Sequence, residues 1–414
     1  MSAVGKLKYR IEPSFDDVVA QHPDFPRLIA RKIDVHRRGV NYTKRTLAAM
    51  NPEIHQLYTW QGHRFPHSLL LRDGTTLLVM PQSIEKDPYD VDYVDGKFVL
   101  VDDGEIVEDV DLWPKPKYYD LKTSSGLLMR EVVSARPQRL DLFVTSFCYF
   151  YHVDAQGCKF CSLPNVHQKL RAAYHLPTRL NPEDVKECFT EALKEGGRFT
   201  NIHITGGTMV KGADVGDLEV DYYISILHVI AETFATQRFP SQLLATSYNE
   251  RQLRRLREET GLGSFTADIE VLNEEKFNWI CPGKACWVGY QEWKNRLIRG
   301  VDIFGRGNIS TGIVGGVELA GPHGFTSEDD ALKSTLDEAE SLAEKGVTTV
   351  HTIWMPQAGS QFADQKSPSL DYFIRLAQGL QNLRLKYNLS VDFDDYRRCG
   401  NHSDSDLARL HYAD

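Results

Sequence analysis

The sequence predicts an α/β protein: a partial or complete (β/α) barrel behind a β-rich N-terminal region. Three observations carry this. From residue 138 onward, strand-like apolar runs alternate with helical stretches six times. Before residue 138 the apolar runs come in pairs around Asp-Gly, as hairpins do. Residue types suited to chemistry fall just after the strand-like runs, where a barrel keeps its site.

The N-terminal region, residues 1–137, opens with a polar stretch, 14–50, whose scattered apolar positions suit short helices. Runs 67–72 and 75–80 flank Asp73-Gly74, and runs 91–94 and 97–101 flank Asp95-Gly96. These predict a small, mostly antiparallel sheet. Trp113-Pro114-Lys115-Pro116-Lys117 marks its end, and a linker-like helix is expected over 120–136. Nothing in this region names a chemistry. It reads as a cover or an oligomerisation element, with substrate gating as the other use.

The barrel region, residues 138–414, has candidate strands at 140–146, 201–205, 242–247, 264–271, 308–315 and 348–354, with a further extended run at 389–394. The helix after the first strand is signposted by Asn181 as N-cap, Pro182 at the first helical position, and Glu183 and Asp184 in the first turn. The helix over 327–345 starts Ser327-Glu328-Asp329-Asp330 and stops at Lys345-Gly346. Such a series of βα units implies a parallel sheet with right-handed crossovers.

Length and charge set bounds. The chain has 414 residues, 42% of them hydrophobic, and a net charge of −9. That charge disfavours non-specific nucleic-acid binding. No run of 18 apolar residues predicts a membrane span, and the first ten residues lack the apolar core of a signal peptide. Seven cysteines at irregular spacing fit a reducing cytoplasm better than a disulfide framework.

The most informative stretch is the loop after the first strand, Cys148 to Cys161, which holds three of the seven cysteines. Cys158 and Cys161 form a Cys-x-x-Cys, Phe160 precedes the last, and Gly157 permits a tight turn. Three thiolates fall one short of a closed structural zinc or ordinary iron–sulfur site, and a [4Fe–4S] cluster held by three leaves one iron open. Zinc completed by His152 or His167, a redox dithiol at Cys158 and Cys161, and plain buried cysteines are the alternatives. Tyr149, Tyr151 and His152 read as an aromatic plug within an enlarged loop. Cys281, Cys286 and Cys399 are weighed as a second metal site, and with Cys188 read more simply as ordinary cysteines.

Other candidates sit at later strand ends. Gly206-Gly207 after the second strand lets a ligand approach the backbone. Thr246 and Ser247 follow the third. Asp268 and Glu270 stand two residues apart on the fourth strand, hence on one face, where buried carboxylates need partners. Arg296 on the next helix is offered to a carboxylate or to Glu270. Ile313 and its small neighbours suit a flat ring, and Met355 closes the sixth strand.

Together these residues resemble the radical S-adenosylmethionine (SAM) superfamily. The carriers are the three cysteines with Phe160, the Gly-Gly of the second strand, and Ile313-x-Gly315-x-x-Glu318. The segment Ile269 to Gly283 is similar to the biotin-synthase-like branch, where the strand acid meets SAM. Three positions depart from the usual pattern: Thr311 replaces a glycine, Thr208 replaces an acid, and nine residues separate the first two cysteines where three are usual.

The resemblance implies a fold and a chemistry. The fold is a radical SAM barrel. Cys148, Cys158 and Cys161 would hold a [4Fe–4S] cluster whose open iron takes the amino and carboxylate groups of SAM. Gly206 and Gly207 would meet the methionine end. Glu270, with Ser247 and Arg296, would contact ribose or methionine groups, and Phe160, Ile313 and Met355 would line the adenine. The expected activity is reductive cleavage of SAM to a 5′-deoxyadenosyl radical that takes a hydrogen atom from a small-molecule substrate, a cofactor or natural-product precursor. An electron donor such as flavodoxin or ferredoxin is implied. Radical modification of a peptide or tRNA, and a zinc-stabilised binding protein, are the competing readings.

Overall fold

The computed structural model describes residues 12–60, 63–72, 74–82, 87–136, 138–163, 177–389 and 400–410. Three short helices lie within the polar opening stretch: α1 (Phe15–Ala20), α2 (Arg27–Arg38) and α3 (Lys44–Ala49). Ser14 and Thr43 cap α1 and α3, each accepting a backbone N–H at 3.2 Å. Strand β1 (Val40–Tyr42) lies between α2 and α3, and β2 (Tyr58–Trp60) pairs with β3 (His63–Phe65).

The first large sheet adds β4 (Ser68–Leu71), β5 (Thr76–Leu78), β6 (Tyr89–Val94), β7 (Lys97–Asp102) and β8 (Glu105–Leu112), in the order β1-β6-β7-β8-β4-β5. The Asp95-Gly96 hairpin forms as expected. Both residues take positive φ, 50° and 83°, as a two-residue hairpin turn of matching twist requires. A second turn of the same kind, Asp103-Gly104 at 49° and 87°, leads into β8. The sequence reading passed over that pair. Beneath the sheet Val35 of α2 joins Val40, Leu69, Leu77, Tyr89 and Leu100 in a closed apolar cluster.

The helix expected over 120–136 does not form. Thr123 accepts the Gly126 N–H at 2.8 Å and Gly126 sits at φ 89°, a turn that interrupts any helix. What remains is α4 (Met129–Val132) and then β9 (Ser134–Arg136). β9 already belongs to the second sheet.

That sheet holds six parallel strands: β10 (Arg139–Phe143), β11 (Asn201–Thr205), β12 (Ser241–Leu244), β13 (Ser264–Thr266), β14 (Ile309–Gly315) and β15 (Thr348–Ile353). β9 runs antiparallel on the outer side of β10. Among the described residues the order is β15-β14-β13-β12-β11-β10-β9, a partial barrel open between its two edge strands. The connecting helices are α5 (Pro182–Ala192), α6 (Asp217–Ala231), α7 (Glu250–Glu259), α8 (Glu274–Ile280), α9 (Pro282–Trp287), α10 (Tyr290–Phe304), α11 (Glu328–Glu344) and α12 (Leu370–Tyr387). Asn181 and Ser327 cap α5 and α11 as the sequence predicts. Helix α13 (Ser403–Leu410) follows, and the extended run expected at 389–394 lies, apart from residue 389, outside the described residues.

Strand β13 is shorter than expected: its ladder to β14 breaks after Thr266, where the Thr311 and Asp268 side chains replace backbone partners, and resumes only as a bridge from Glu270 to Ile313. The N-terminal segments lie against both edges of the open sheet. At β9, Gln56 Nε2 donates to the Ala135 carbonyl at 2.7 Å, and the Ala135 N–H donates to Tyr119 Oη at 2.9 Å. On the β15 side, Lys32 of α2 pairs with Asp406 of α13 at 2.7 Å, both side chains fully buried. Leu78 N–H donates to the Gly400 carbonyl, and Gln82 Nε2 lies 2.9 Å from Met355 Sδ.

Candidate active site

The cysteine loop leaves β10 at the carboxyl end of the sheet. Its extra residues, Tyr149–His152, form one turn of 3-10 helix. Phe150 is buried beneath the turn, and His152 stacks on Phe147 with ring centroids 4.4 Å apart. Tyr151 Oη lies 2.7 Å from the Cys161 carbonyl oxygen and 3.1 Å from that of Cys158, so one phenol staples the Cys-x-x-Cys segment. Gly157 packs close to that ring: a Cβ there would stand 2.8 Å from it. The aromatic insertion is a plug, as expected, and it also sets the loop's shape.

The three thiols are half-buried, and each is held in its neutral form. Burial pushes Cys148 up to about 11. Burial, then the neighbouring Cys158, pushes Cys161 up to about 12. Cys158 is raised as well, first through a hydrogen bond with the Cys281 thiol and then through burial. A bound cation reverses this preference, because a coordinating thiol gives up its proton. Among the described residues no three His, Cys, Asp or Glu side chains converge on one point as ligands of a single ion. Of the histidines proposed to complete a zinc site, His152 is engaged in stacking and His167 lies outside the described residues.

The glycine pair explains how β11 meets this loop. A Cβ on Gly207 would fall 2.1 Å from the Phe147 carbonyl oxygen and 2.7 Å from Cys148 Cβ. One on Gly206 would fall 2.7 Å from Thr145 Cγ2. Gly207 N–H donates to the Thr145 carbonyl at 3.2 Å, and Tyr149 N–H to that of Thr208 at 2.8 Å. Thr208, where the acid was missing, shares a hydrogen bond with Thr246 at 3.1 Å. Behind them lies Glu219, an acid the sequence reading missed. It is buried, accepts the Tyr248 hydroxyl at 2.5 Å and the Met209 N–H, and burial raises its pKa.

Glu270 stands opposite. Its backbone is locked into β14: its N–H donates to the Gly312 carbonyl at 3.0 Å, and its own carbonyl accepts the Val314 N–H at 2.9 Å. A positive φ at a non-glycine residue costs on the order of 1 kcal/mol and persists only where neighbours fix it, as β14 does here. Its side chain is 16% exposed and pairs with Lys284 Nζ at 2.7 Å. Burial pushes the Glu270 carboxyl up to about 7 against the opposing pull of Lys284, and the Asp268 charge adds to the rise. The carboxylates of Asp268 and Glu270 do not share a partner, although Lys284 reaches both residues. The Asp268 carboxylate accepts the Gly312 N–H at 2.7 Å, while its carbonyl accepts from Lys284 Nζ at 2.5 Å.

Two expected contacts differ in the structure. Arg296 does not reach Glu270. Glu292, four residues earlier on α10, takes its Nε at 2.9 Å, and the Ser247 carbonyl takes Nη1 at 2.8 Å. Ser247 is buried with its hydroxyl 3.4 Å from the Trp293 carbonyl. Ile313 shares a strand face with Gly315, where a Cβ would meet Leu376 of α12 at 2.7 Å. Its side chain therefore lies on the helix side of the sheet, and Gly312 and Val314 occupy the face turned to Asp268. Phe160 is half-buried against the main core, and Met355 is half-buried at the end of β15.

The α8–α9 joint clasps the cysteine loop. Lys159 N–H donates to the Ile280 carbonyl and Gly283 N–H to that of Gln156, each at 3.0 Å, and the Trp287 indole donates to Gln156 Oε1 at 2.9 Å. This brings the fully buried Cys281 against Cys158. Cys286 is exposed while Cys281 is buried, and Cys399 lies outside the described residues. Lys284 was invisible as a site residue, and Cys281 as a neighbour of Cys158, because both lie far along the chain from the cysteines they adjoin.

A three-cysteine loop stands at the head of a parallel partial barrel with a glycine pair and a strand acid beside it, the arrangement that the resemblance to radical SAM enzymes implies. A curated relative, bacteriochlorophyllide c C-7(1)-hydroxylase of Chlorobaculum limnaeum, is 26% identical over 133 residues, 32% of this chain. The chain matches only 30% of that relative's length. Among solved structures, a radical SAM methyltransferase from Sphaerobacter thermophilus shares 16% identity over 73% of this chain and 79% of its own, with a TM-score of 0.42. A methylornithine synthase shares 14% over 66% of this chain and 78% of its own, with a TM-score of 0.38. No family model matches the chain.

Proposed function

We propose that the protein cleaves SAM reductively at a [4Fe–4S] cluster held by Cys148, Cys158 and Cys161, and uses the resulting 5′-deoxyadenosyl radical to take a hydrogen atom from a small-molecule substrate. The observation that carries this is the stapled loop itself. Three half-buried thiols share one turn-rich segment fixed by Tyr151, beside a glycine whose missing Cβ leaves room at Cys148. That donor set fits a cluster with one iron open. Held by the three cysteines, such a cluster would pass an electron from the reductant to the sulfonium of SAM.

The chain's own residues then bind and orient. Glu270 accepts ribose hydroxyls, with Ser247 and Arg296 bracing the wall behind it. The backbone at Gly206 and Gly207 meets the methionine end. Phe160, Met355 and the β14 backbone around Ile313 border the adenine. The open side of the barrel supports a small-molecule substrate class. Segments that include Gln56 and Lys32 lie against its two edges, which narrows lateral access and favours a small substrate over a peptide or tRNA. The named substrate of the curated relative, a bacteriochlorophyllide, is likewise a small molecule. Excluding water at such a site protects the radical. Among the described residues no helix is long and apolar enough to cross a membrane. We place the enzyme in the cytoplasm with a flavodoxin or ferredoxin as donor.

Anaerobic purification tests the reading. Brown protein with about four irons and four sulfides per chain, turning SAM into 5′-deoxyadenosine on reduction, is expected. Colourless protein with one zinc refutes it in favour of a zinc-stabilised binding protein. Turnover with a peptide or tRNA alone refutes the small-substrate part.

A further inference from the structure

Lys284 stands where the cysteine loop and the Glu270 carboxylate meet. Its ammonium lies 2.7 Å from Glu270 Oε1, 2.5 Å from the Asp268 carbonyl oxygen and 4.8 Å from the centroid of the Trp293 ring. The side chain is 12% exposed. A carboxylate, a carbonyl and an aromatic face thus hold one nitrogen in place, the last by cation–π attraction. The backbone is held as well. Gly283, the residue before it, donates to the Gln156 carbonyl inside the cysteine loop, and Trp287 of the same helix donates to the Gln156 side chain. Glu270 has its own backbone locked to β14 on both sides. The cysteine loop, α9 and the Glu270 carboxylate therefore form one mechanical unit with Lys284 as its joint. An apolar residue of similar length would fill this space without the desolvation cost that a buried ion pair carries. Retaining a cation here is explained by what it does to Glu270.

We propose that Lys284 is a positioning residue for SAM. It holds the Glu270 carboxylate at a fixed place relative to the three cysteines. The second Glu270 oxygen then accepts the ribose hydroxyls while the methionine end reaches the cysteine loop. This rests on the radical SAM reading, and it adds a residue whose action on the ligand passes entirely through Glu270.

The test is a binding measurement without turnover. Cluster-loaded, unreduced protein is titrated anaerobically with SAM by calorimetry. Lys284→Met weakens binding by on the order of tenfold or more, the scale expected when one partner of a buried, hydrogen-bonded pair is removed. Lys284→Arg recovers most of the loss, because a guanidinium meets the same carboxylate and ring. Glu270→Gln weakens binding comparably, and the double variant Lys284→Met/Glu270→Gln binds no worse than Glu270→Gln alone, since one residue acts through the other. Unchanged binding in Lys284→Met, no recovery in Lys284→Arg, or additive losses in the double variant overturns the proposal. If Lys284→Met fails to fold, the comparison of the double variant with Glu270→Gln decides alone, because both buried charges leave together. Iron and sulfide are assayed on every sample. Wild-type protein without a cluster refutes the radical SAM reading, whereas loaded Lys284→Met that binds normally refutes only the role of Lys284.

Discussion

Replacing Gly207 by alanine tests whether β11 and the cysteine loop are built as one piece. The new Cβ would lie 2.1 Å from the Phe147 carbonyl oxygen and 2.7 Å from Cys148 Cβ. An ordinary carbon–oxygen contact is about 3.3 Å, so Phe147 must retreat by roughly an ångström and carry Cys148 with it. The obstacle is backbone, which has no rotamer to escape into. Overpacking of this kind costs about 1–3 kcal/mol. Its sharper consequence is geometric, because one of three thiols leaves its place. The comparison variant is Gly157→Ala, where the new Cβ meets the ring of Tyr151 at 2.8 Å. A ring on a side chain can pivot, so this change is milder. The assay is iron per chain after anaerobic reconstitution, read beside thermal unfolding of the same samples. Gly207→Ala should load markedly less iron than Gly157→Ala and melt a few degrees below wild type. Wild-type iron content in Gly207→Ala, or a larger defect in Gly157→Ala, refutes the reasoning.

Other perturbations probe separate parts of the structure. Tyr151→Phe removes the hydroxyl shared by the Cys158 and Cys161 carbonyls, costing about 1 kcal/mol, and should speed cluster loss to a chelator. Glu270 carries a folded pKa of about 7, above its ordinary 4.5, so its contribution to stability is full below 4.5 and fades as pH rises through 7. Measured against Glu270→Gln by urea unfolding, wild-type stability should fall by about 3 kcal/mol across that window, and parallel pH profiles would exclude this. Lys32→Met leaves Asp406 charged and buried without its cation, and should cost about 3–5 kcal/mol. The double variant Lys32→Met/Asp406→Leu should recover much of that loss in the same denaturation experiment.

Local chemistry made much of the fold legible. Asp95-Gly96 named its hairpin because both residues tolerate positive φ, and Asn181 and Ser327 named helix starts because their side chains bind free N–H groups. The cysteine loop was legible because its residues are close in sequence. What escaped depends on contacts between distant segments. Lys284 and Cys281 reach the loop only through the α8–α9 joint, and no periodicity signals that approach. Glu270 was read as part of a regular strand over 264–271, yet β14 pins it at a positive φ beyond the end of β13. Ile313 was placed against a ligand because the motif marks the position, while strand alternation sends its side chain to α12. The missing helix at 120–136 had a readable cause in Thr123-Ser124-Ser125-Gly126, a turn sequence that apolar spacing alone does not weigh.

The Lys32–Asp406 contact also bears on how the molecule is assembled. Both large sheets lie between these two residues in sequence, so the ion pair forms only after both have been made. Domains fold as they emerge during synthesis, and the first sheet is complete early. The β15 flank, by contrast, waits for α13. Until that helix docks, the nascent barrel keeps an unshielded strand edge, a template for unwanted pairing.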